Sequence, residues 1–148
     1  MREVLWGIIV LCLLFACITD CRTCTVYNFT WWISGTAAGI LLMTVSKDFT
    51  LREAAELGAF VLLQLFFFSR MYGKADSYAF SVCATAEAAF GLGLKGYLIH
   101  MLAAFCLLAL IQGMCRNIDK HGNLKHPVPF LPYITLAFWA LLWYHYTC

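Results

Sequence analysis

Apolar and polar positions along this chain segregate into blocks. Six apolar stretches, at residues 4–19, 31–45, 57–71, 79–92, 96–115 and 130–146, are separated by small polar clusters. None of them alternates with period two, so they read as helices rather than strands. A hydrocarbon core of about 30 Å takes roughly 17–25 apolar residues per helix. The pattern predicts an all-α polytopic membrane protein, a bundle of about six transmembrane helices that forms one domain over residues 1–148. The fourth stretch is built from small residues, with Ala84, Ala86, Ala88 and Ala89, which lets neighbouring helices approach closely and predicts a central position for it.

The polar connections carry their own signals. "SKDFTLREAAE" reads as a short linker, partly helical and interfacial, and the third stretch ends in "YGKADSY". Pro127, Pro129 and Pro132 make a stiff approach to the last helix, where proline costs little. Arg2 precedes the first apolar run as in a signal peptide, but no small-x-small cleavage pattern follows, so that run is expected to stay as the first helix.

Composition strengthens the membrane reading. The chain is 63% hydrophobic, 16% aromatic and 12% charged, with a mean hydropathy of +0.79. A soluble domain carries roughly 25% charged residues. The net charge of +2 is small and scattered, which argues against a nucleic-acid partner and leaves the lipid bilayer as the expected surroundings. Of eight cysteines, Cys12, Cys17, Cys83 and Cys106 lie inside apolar runs, where cysteine packs as a small hydrophobe rather than in a disulfide framework. Cys21 and Cys24 form a Cys-x-x-Cys pair, with His121 and His126 as conceivable further zinc ligands. Those histidines are distant and structural zinc sites use tight spacings, so neither a metal nor another cofactor is expected.

Basic residues set the orientation. With six crossings, the loops holding Asp20, Asp76 and Asp119 share a side with Arg22, Arg70, Lys74, Arg116, Lys120 and Lys125; Arg2, Lys47, Arg52 and Lys95 lie opposite. Positive residues favour the cytoplasm, which places the first set inside. Asp20 then ends the first helix and Asp76 the third, on one face of the membrane, and the two meet if those helices pack together.

Two aspartates at helix ends are the smallest constellation for an aspartic peptidase. Like charges a few ångströms apart do not both ionise easily, so one proton is shared. The ionised member can draw a proton from water while the other polarises a carbonyl. The plainer reading of either residue is a solvated helix end. Glu87 lies about eleven residues beyond Asp76, roughly 16 Å along a helix at 1.5 Å per residue, too far for direct catalysis. It reads either as a partner for the active site or for a positively charged substrate segment or, more plainly, as a glutamate bonded to a neighbouring helix, near Gln64, Gln112 or His100; His100 reads as a packed, hydrogen-bonded histidine. Arg22 and Lys74 flank the aspartates, either to lower a carboxylate pKa or hold a substrate carbonyl, or to anchor at lipid phosphates. Trp31, Trp32, Trp139, Trp143, Tyr144 and Tyr146 suit interfacial belts and lipid-facing packing.

Three motifs in order carry a resemblance. "DCRTCTVYN", Asp20 to Asn28, resembles the Asp-x-Arg-x-x-x-Ile/Val-x-Asn pattern of type IV prepilin peptidases, with Asp20, Arg22, Val26 and Asn28 in register; Tyr27 stands where that family often has proline. "GKAD", Gly73 to Asp76, resembles the family's Gly-x-Gly-Asp signature, shared with presenilin-like intramembrane aspartyl proteases. Here Ala75 replaces the second glycine, which permits positive φ and close approach where alanine does not, and a lysine often found soon after the aspartate is absent. "HPVPFLPYI" resembles the proline-rich start of the family's last helix.

The resemblance implies that Asp20 and Asp76 are the catalytic pair and that Gly73, Arg22, Asn28 and Lys74 contact substrate. It implies a bacterial or archaeal cytoplasmic (inner) membrane location with the site facing the cytoplasm. The implied partner is a prepilin or pilin-like precursor whose positively charged leader is cut before a hydrophobic helix, for a pilus or related secretion machine. The cytoplasmic insertion with paired Cys-x-x-Cys motifs that serves methylation in larger members has no counterpart here, so peptidase activity without N-methylation is expected. Two rivals remain: an intramembrane aspartyl protease that cuts within a substrate's helix, and a small transporter in which Asp20 and Glu87 bind cations.

Overall fold

Apolar stretches mark where helices are buried or lipid-facing, while capping residues decide where they begin and end. In the computed structural model, which describes residues 1–45, 49–114 and 128–147, the helices are α1 (Arg2–Thr23), α2 (Asn28–Val45), α3 (Leu51–Phe66), α4 (Lys74–Ala89), α5 (Leu94–Met114) and α6 (Leu131–Thr147). A single 3-10 turn, Phe68–Arg70, follows α3, and among the described residues all regular structure is helical. Helices α1 and α5 are each long and apolar enough to cross a membrane. Cys115, Arg116, Asp119, Lys120, His121, Lys125, His126 and Pro127, with Lys47 in the α2–α3 connection, lie outside the described residues.

Three of the boundaries that differ from the apolar blocks have a clear local reason. Helix α3 begins at Leu51 because Thr50 and Glu53 form a capping box: the Thr50 hydroxyl accepts from the Glu53 amide at 3.2 Å, and the Thr50 amide donates to the Glu53 carboxylate at 2.8 Å. "LREAAE" is thus the helical part of the "SKDFTLREAAE" connection and opens α3. Helix α4 begins at Lys74, after Gly73 takes a φ of 115° that a side chain would resist. Asp76 therefore lies in the first turn of α4 and does not end the third helix. Helix α1 runs past Asp20 to Thr23, where Cys24 closes it in the left-handed conformation, φ 49°, with its amide on the Asp20 carbonyl at 2.9 Å.

Helix α4 is central, as its small residues predict. Ten of its sixteen residues are buried, and it packs against α2, α3, α5 and α6. Helix α1 packs against α2 and α6, so these two helices are the common neighbours that bring the ends of α1 and α4 together. Polar side chains go inward: Gln64, Ser77, Glu87, His100 and Gln112 are buried. Apolar side chains divide: Ile9, Leu13, Leu41, Phe80 and Phe138 fill the interior, while Leu11, Met43, Leu62, Leu102 and Leu136 are exposed. Trp32, Trp143 and Tyr144 are exposed as a belt requires, whereas Trp31 is buried, facing Tyr78 of α4 at a ring separation of 6.4 Å.

Replacing the Thr50 hydroxyl tests the reassigned start of α3. Thr50→Ala should lower stability by about 1 kcal/mol, read as a lower midpoint of denaturant unfolding in detergent. An unchanged midpoint would show that α3 does not depend on this cap.

Candidate active site

A helix N-terminus leaves amides that need acceptors. In α6 the second residue is Pro132, which has no N–H, and the amides of Tyr133 and Ile134 turn back onto the Phe130 carbonyl. The amides of Leu131 and Phe130 remain. Both are taken by Asp20, which reaches across from the last turns of α1: the Leu131 N–H donates to Asp20 Oδ2 at 3.2 Å, and the Phe130 amide also bonds the carboxylate. Asp20 therefore caps a helix 111 residues away. It is buried, at 8% exposure, and burial raises its carboxyl above the usual aspartate range, an effect that the Leu131 and Phe130 amides offset only in part.

Asp76 has different surroundings. It sits in the first turn of α4, where a carboxylate is normally favoured by the helix dipole. Yet among the described residues no donor is bonded to its carboxyl, and burial, with the charge on Asp20 second to it, pushes its pKa up to about 7. The two carboxyl groups thus lie within electrostatic reach of each other, one supported by two amides and the other by none. Asp76 Oδ2 lies 3.6 Å from where a Cβ on Gly73 would stand, an ordinary contact, so the need for glycine there comes from its φ and not from space.

Of the other predicted residues, some converge and some do not. Asn28, at the start of α2, and Lys74, at the start of α4, line a groove of about 680 Å³ together with Trp31, Trp32, Tyr78 and Ala75, the residue before Asp76. A smaller groove of about 190 Å³ shares Trp31 and Tyr78 and continues between α2, α3 and α4. Arg22 is exposed and lines neither groove, and Gly73 shapes the turn rather than the groove wall. Neither Arg22 nor Lys74 pairs with an aspartate among the described residues, and the Asp76 carboxyl is raised, so of the readings open for these cations the lowering of a carboxylate pKa is not seen at Asp76. A cavity of about 410 Å³ beside Arg2, Trp6 and Trp143 lies at the other end of the bundle, away from both aspartates.

The two departures from the resembled motifs have simple local accounts. Ala75 is helical, so the position does not need a glycine's positive φ; Gly73 supplies that instead. Tyr27, in place of proline, stacks on Phe15 and Phe29 at ring separations of 6.4 and 5.9 Å. Glu87 is buried against His100, as the helix-to-helix reading expects, while Gln112 bonds the Tyr133 hydroxyl. Cys21 and Cys24 are free and exposed. Two partners escaped sequence reasoning. The Phe130 and Leu131 amides were signalled only by the missing N–H of Pro132. The Tyr72 hydroxyl, which donates to the Gln64 side-chain oxygen beside the Asp76 turn, had no local signal.

The different roles of Gly73 and Ala75 can be separated by exchange. Gly73→Ala should cost about 1–3 kcal/mol through its backbone conformation, whereas Ala75→Gly should cost about 1 kcal/mol as an ordinary helix substitution. Unfolding midpoints of the two variants check this, and equal effects would place the strain elsewhere. Compared with models of protein families, with curated proteins and with solved structures, the chain has no match.

Proposed function

We propose that this chain is a membrane aspartic endopeptidase of the prepilin-peptidase type. The observation that carries the reading is the unequal pair: Asp20 held by two backbone amides, and Asp76 buried without a donor and raised to about 7, at the edge of a groove between α2 and α4. Two carboxyl groups that differ in this way form an acid and a base at neutral pH. In this reading all six helices span the bilayer, supported by the outward-facing apolar side chains of α1, α2, α3, α5 and α6 around a central α4. The site then lies at the cytoplasmic face of a bacterial or archaeal inner membrane, where water is available and a substrate's apolar helix can stay in lipid.

The chemistry follows from the starting protonation state. Asp20, ionised, removes a proton from water as the water oxygen bonds to the scissile carbonyl carbon. Asp76 gives its proton to the carbonyl oxygen, so a neutral gem-diol forms without metal or covalent intermediate. On collapse, Asp20 passes its proton to the leaving nitrogen, Asp76 recovers a proton from one hydroxyl, and the C–N bond breaks. Both groups end as they began. The substrate is a prepilin or pilin-like precursor, cut between its basic leader and its apolar helix. The aromatic groove beside Ala75, which includes Trp31 and Tyr78, suits the apolar portion. No methylation step accompanies the cut.

Co-expression with a candidate prepilin tests the pair. Asp20→Asn keeps an oxygen to accept from Leu131 and so preserves the cap, but it removes the base. Asp76→Asn removes the acid. Each should reduce processing by roughly a thousandfold or more, seen as a precursor that keeps its full size. Processing that survives either replacement would sink the paired-carboxylate mechanism.

The pH dependence has a definite sign. The folded pKa of Asp76 is about 7 and that of an unfolded aspartate about 3.9, so between these values the folded state binds more protons and stability falls as pH rises. Processing should fall on the alkaline side as Asp76 loses its proton. Asp76→Asn should raise the thermal midpoint at pH values above about 7, with the gain vanishing towards about pH 4. A gain equal at both ends would assign the effect to packing instead of titration.

A further inference from the structure

Glu87 on α4 and His100 on α5 are fully enclosed, at 0% and 1% exposure, and the proposed reaction does not use them. His100 Nδ1 stands 2.7 Å from Glu87 Oε1, and His100 Nε2 stands 2.9 Å from the carbonyl oxygen of Ile134 on α6. A carbonyl only accepts, so Nε2 carries a hydrogen. The Nδ1–Oε1 approach at 2.7 Å is a close contact and not an aligned hydrogen bond, and Oε2 has no partner among the described residues. A bare carboxylate facing the Nδ1 lone pair would repel, so one more proton belongs to the pair, as imidazolium with carboxylate or as neutral imidazole with carboxylic acid. Either arrangement contains the same number of protons. Phe80 and Phe138 hold the ring, with centroids at 5.3 and 5.8 Å.

Ile134 belongs to the first turn of α6, the turn whose Leu131 amide donates to Asp20. That turn is gripped at both ends: at its N–H end by Asp20 from α1, and at its C=O end by His100, which Glu87 fixes in turn. We infer that Glu87 and His100 are positioning residues for Asp20, sharing one proton and setting, through the Ile134 carbonyl, where the Leu131 amide meets the proposed base. The inference rests on the peptidase reading for its catalytic meaning, while the proton sharing and the grip on α6 stand on geometry alone. The other titratable groups acting at this position are Cys83 on α4, Tyr97 on α5 and, through Cys83, Cys17 on α1.

Three measurements test it. Nitrogen-15 NMR of His100 in the full-length protein should show Nε2 protonated throughout the neutral range, and an Nε2 that loses its proton as pH rises would overturn the shared-proton geometry. In the double variant Glu87→Leu with His100→Phe, no charge is left buried and unpaired, so folding is expected. Amide exchange at Leu131 should then quicken by about tenfold relative to the parent; unchanged exchange would overturn the grip on α6, whatever the state of the peptidase reading.

The third measurement is processing. The double variant should cut prepilin roughly tenfold to a hundredfold more slowly, with the acidic limb of its pH profile moved to higher pH because Asp20 loses a donor that favours its charge. Glu87→Gln can still donate to Nδ1 of a neutral imidazole, so it should restore the parent profile. A double variant with parental rate and profile, or a Gln variant as impaired as the double one, would overturn the positioning role. A parent protein that cuts no prepilin while Leu131 exchange behaves as expected removes the peptidase reading and leaves the grip on α6 standing.

Discussion

A bundle with an apolar outer face must satisfy its polar groups from within. Each buried polar atom left without a partner costs free energy comparable to a lost hydrogen bond, and a charge costs more. Here the inward-facing polar groups meet largely across helices: Asp20 of α1 with the amides that open α6, Glu87 of α4 with His100 of α5, His100 with the Ile134 carbonyl of α6, and Gln112 of α5 with Tyr133. Apolar packing alone allows helices to slide past one another. These bonds do not, because a shift by one residue leaves several of them unmade together. The register of α6 against α1, α4 and α5 therefore depends on a few oxygens and nitrogens.

Asp20 shows how one contact serves both stability and chemistry. As a cap it satisfies two amides that Pro132 and the tight first turn leave over; as a proposed base it needs the negative charge that those same amides stabilise. Asp76 lies outside that network. Its carboxyl gains nothing from a donor, so burial and the neighbouring charge keep its proton in place near neutral pH. The division into acid and base comes from the two different surroundings, and the closeness of the groups only widens it.

The six helices were legible because the apolar blocks are long and separated, and the central place of α4 because of its alanines. Starts were less legible. The block that begins at residue 57 belongs to a helix that starts at Leu51, since Thr50 and Glu53 extend it through polar residues; the block at residue 79 belongs to one that starts at Lys74, since Gly73 turns the chain there. Both aspartates were named from local motifs. Which helices join them was not, since Asp20 and Leu131 are separated by most of the chain and nothing near either one announces the bond. His100 and Glu87 were each seen as buried polar residues, but their joint hold on Ile134 needs three helices at once.

The unpartnered state of Asp76 bears on why its turn has this shape. A carboxyl at a helix start would ordinarily be drawn towards free amides of the first turn, which favour its charge. Here Gly73 places its carbonyl towards Ser77, which returns both its amide, at 3.3 Å, and its hydroxyl, at 3.1 Å. The usual capping position is thus filled by glycine, which has no side chain to hold the turn, and the Ser77 amide is already engaged. Asp76 Oδ2 instead lies in ordinary contact range of the Gly73 turn. A glycine at the cap with positive φ and a carboxyl left without donors belong to one turn. Together they retain a proton that a relaxed helix start would release.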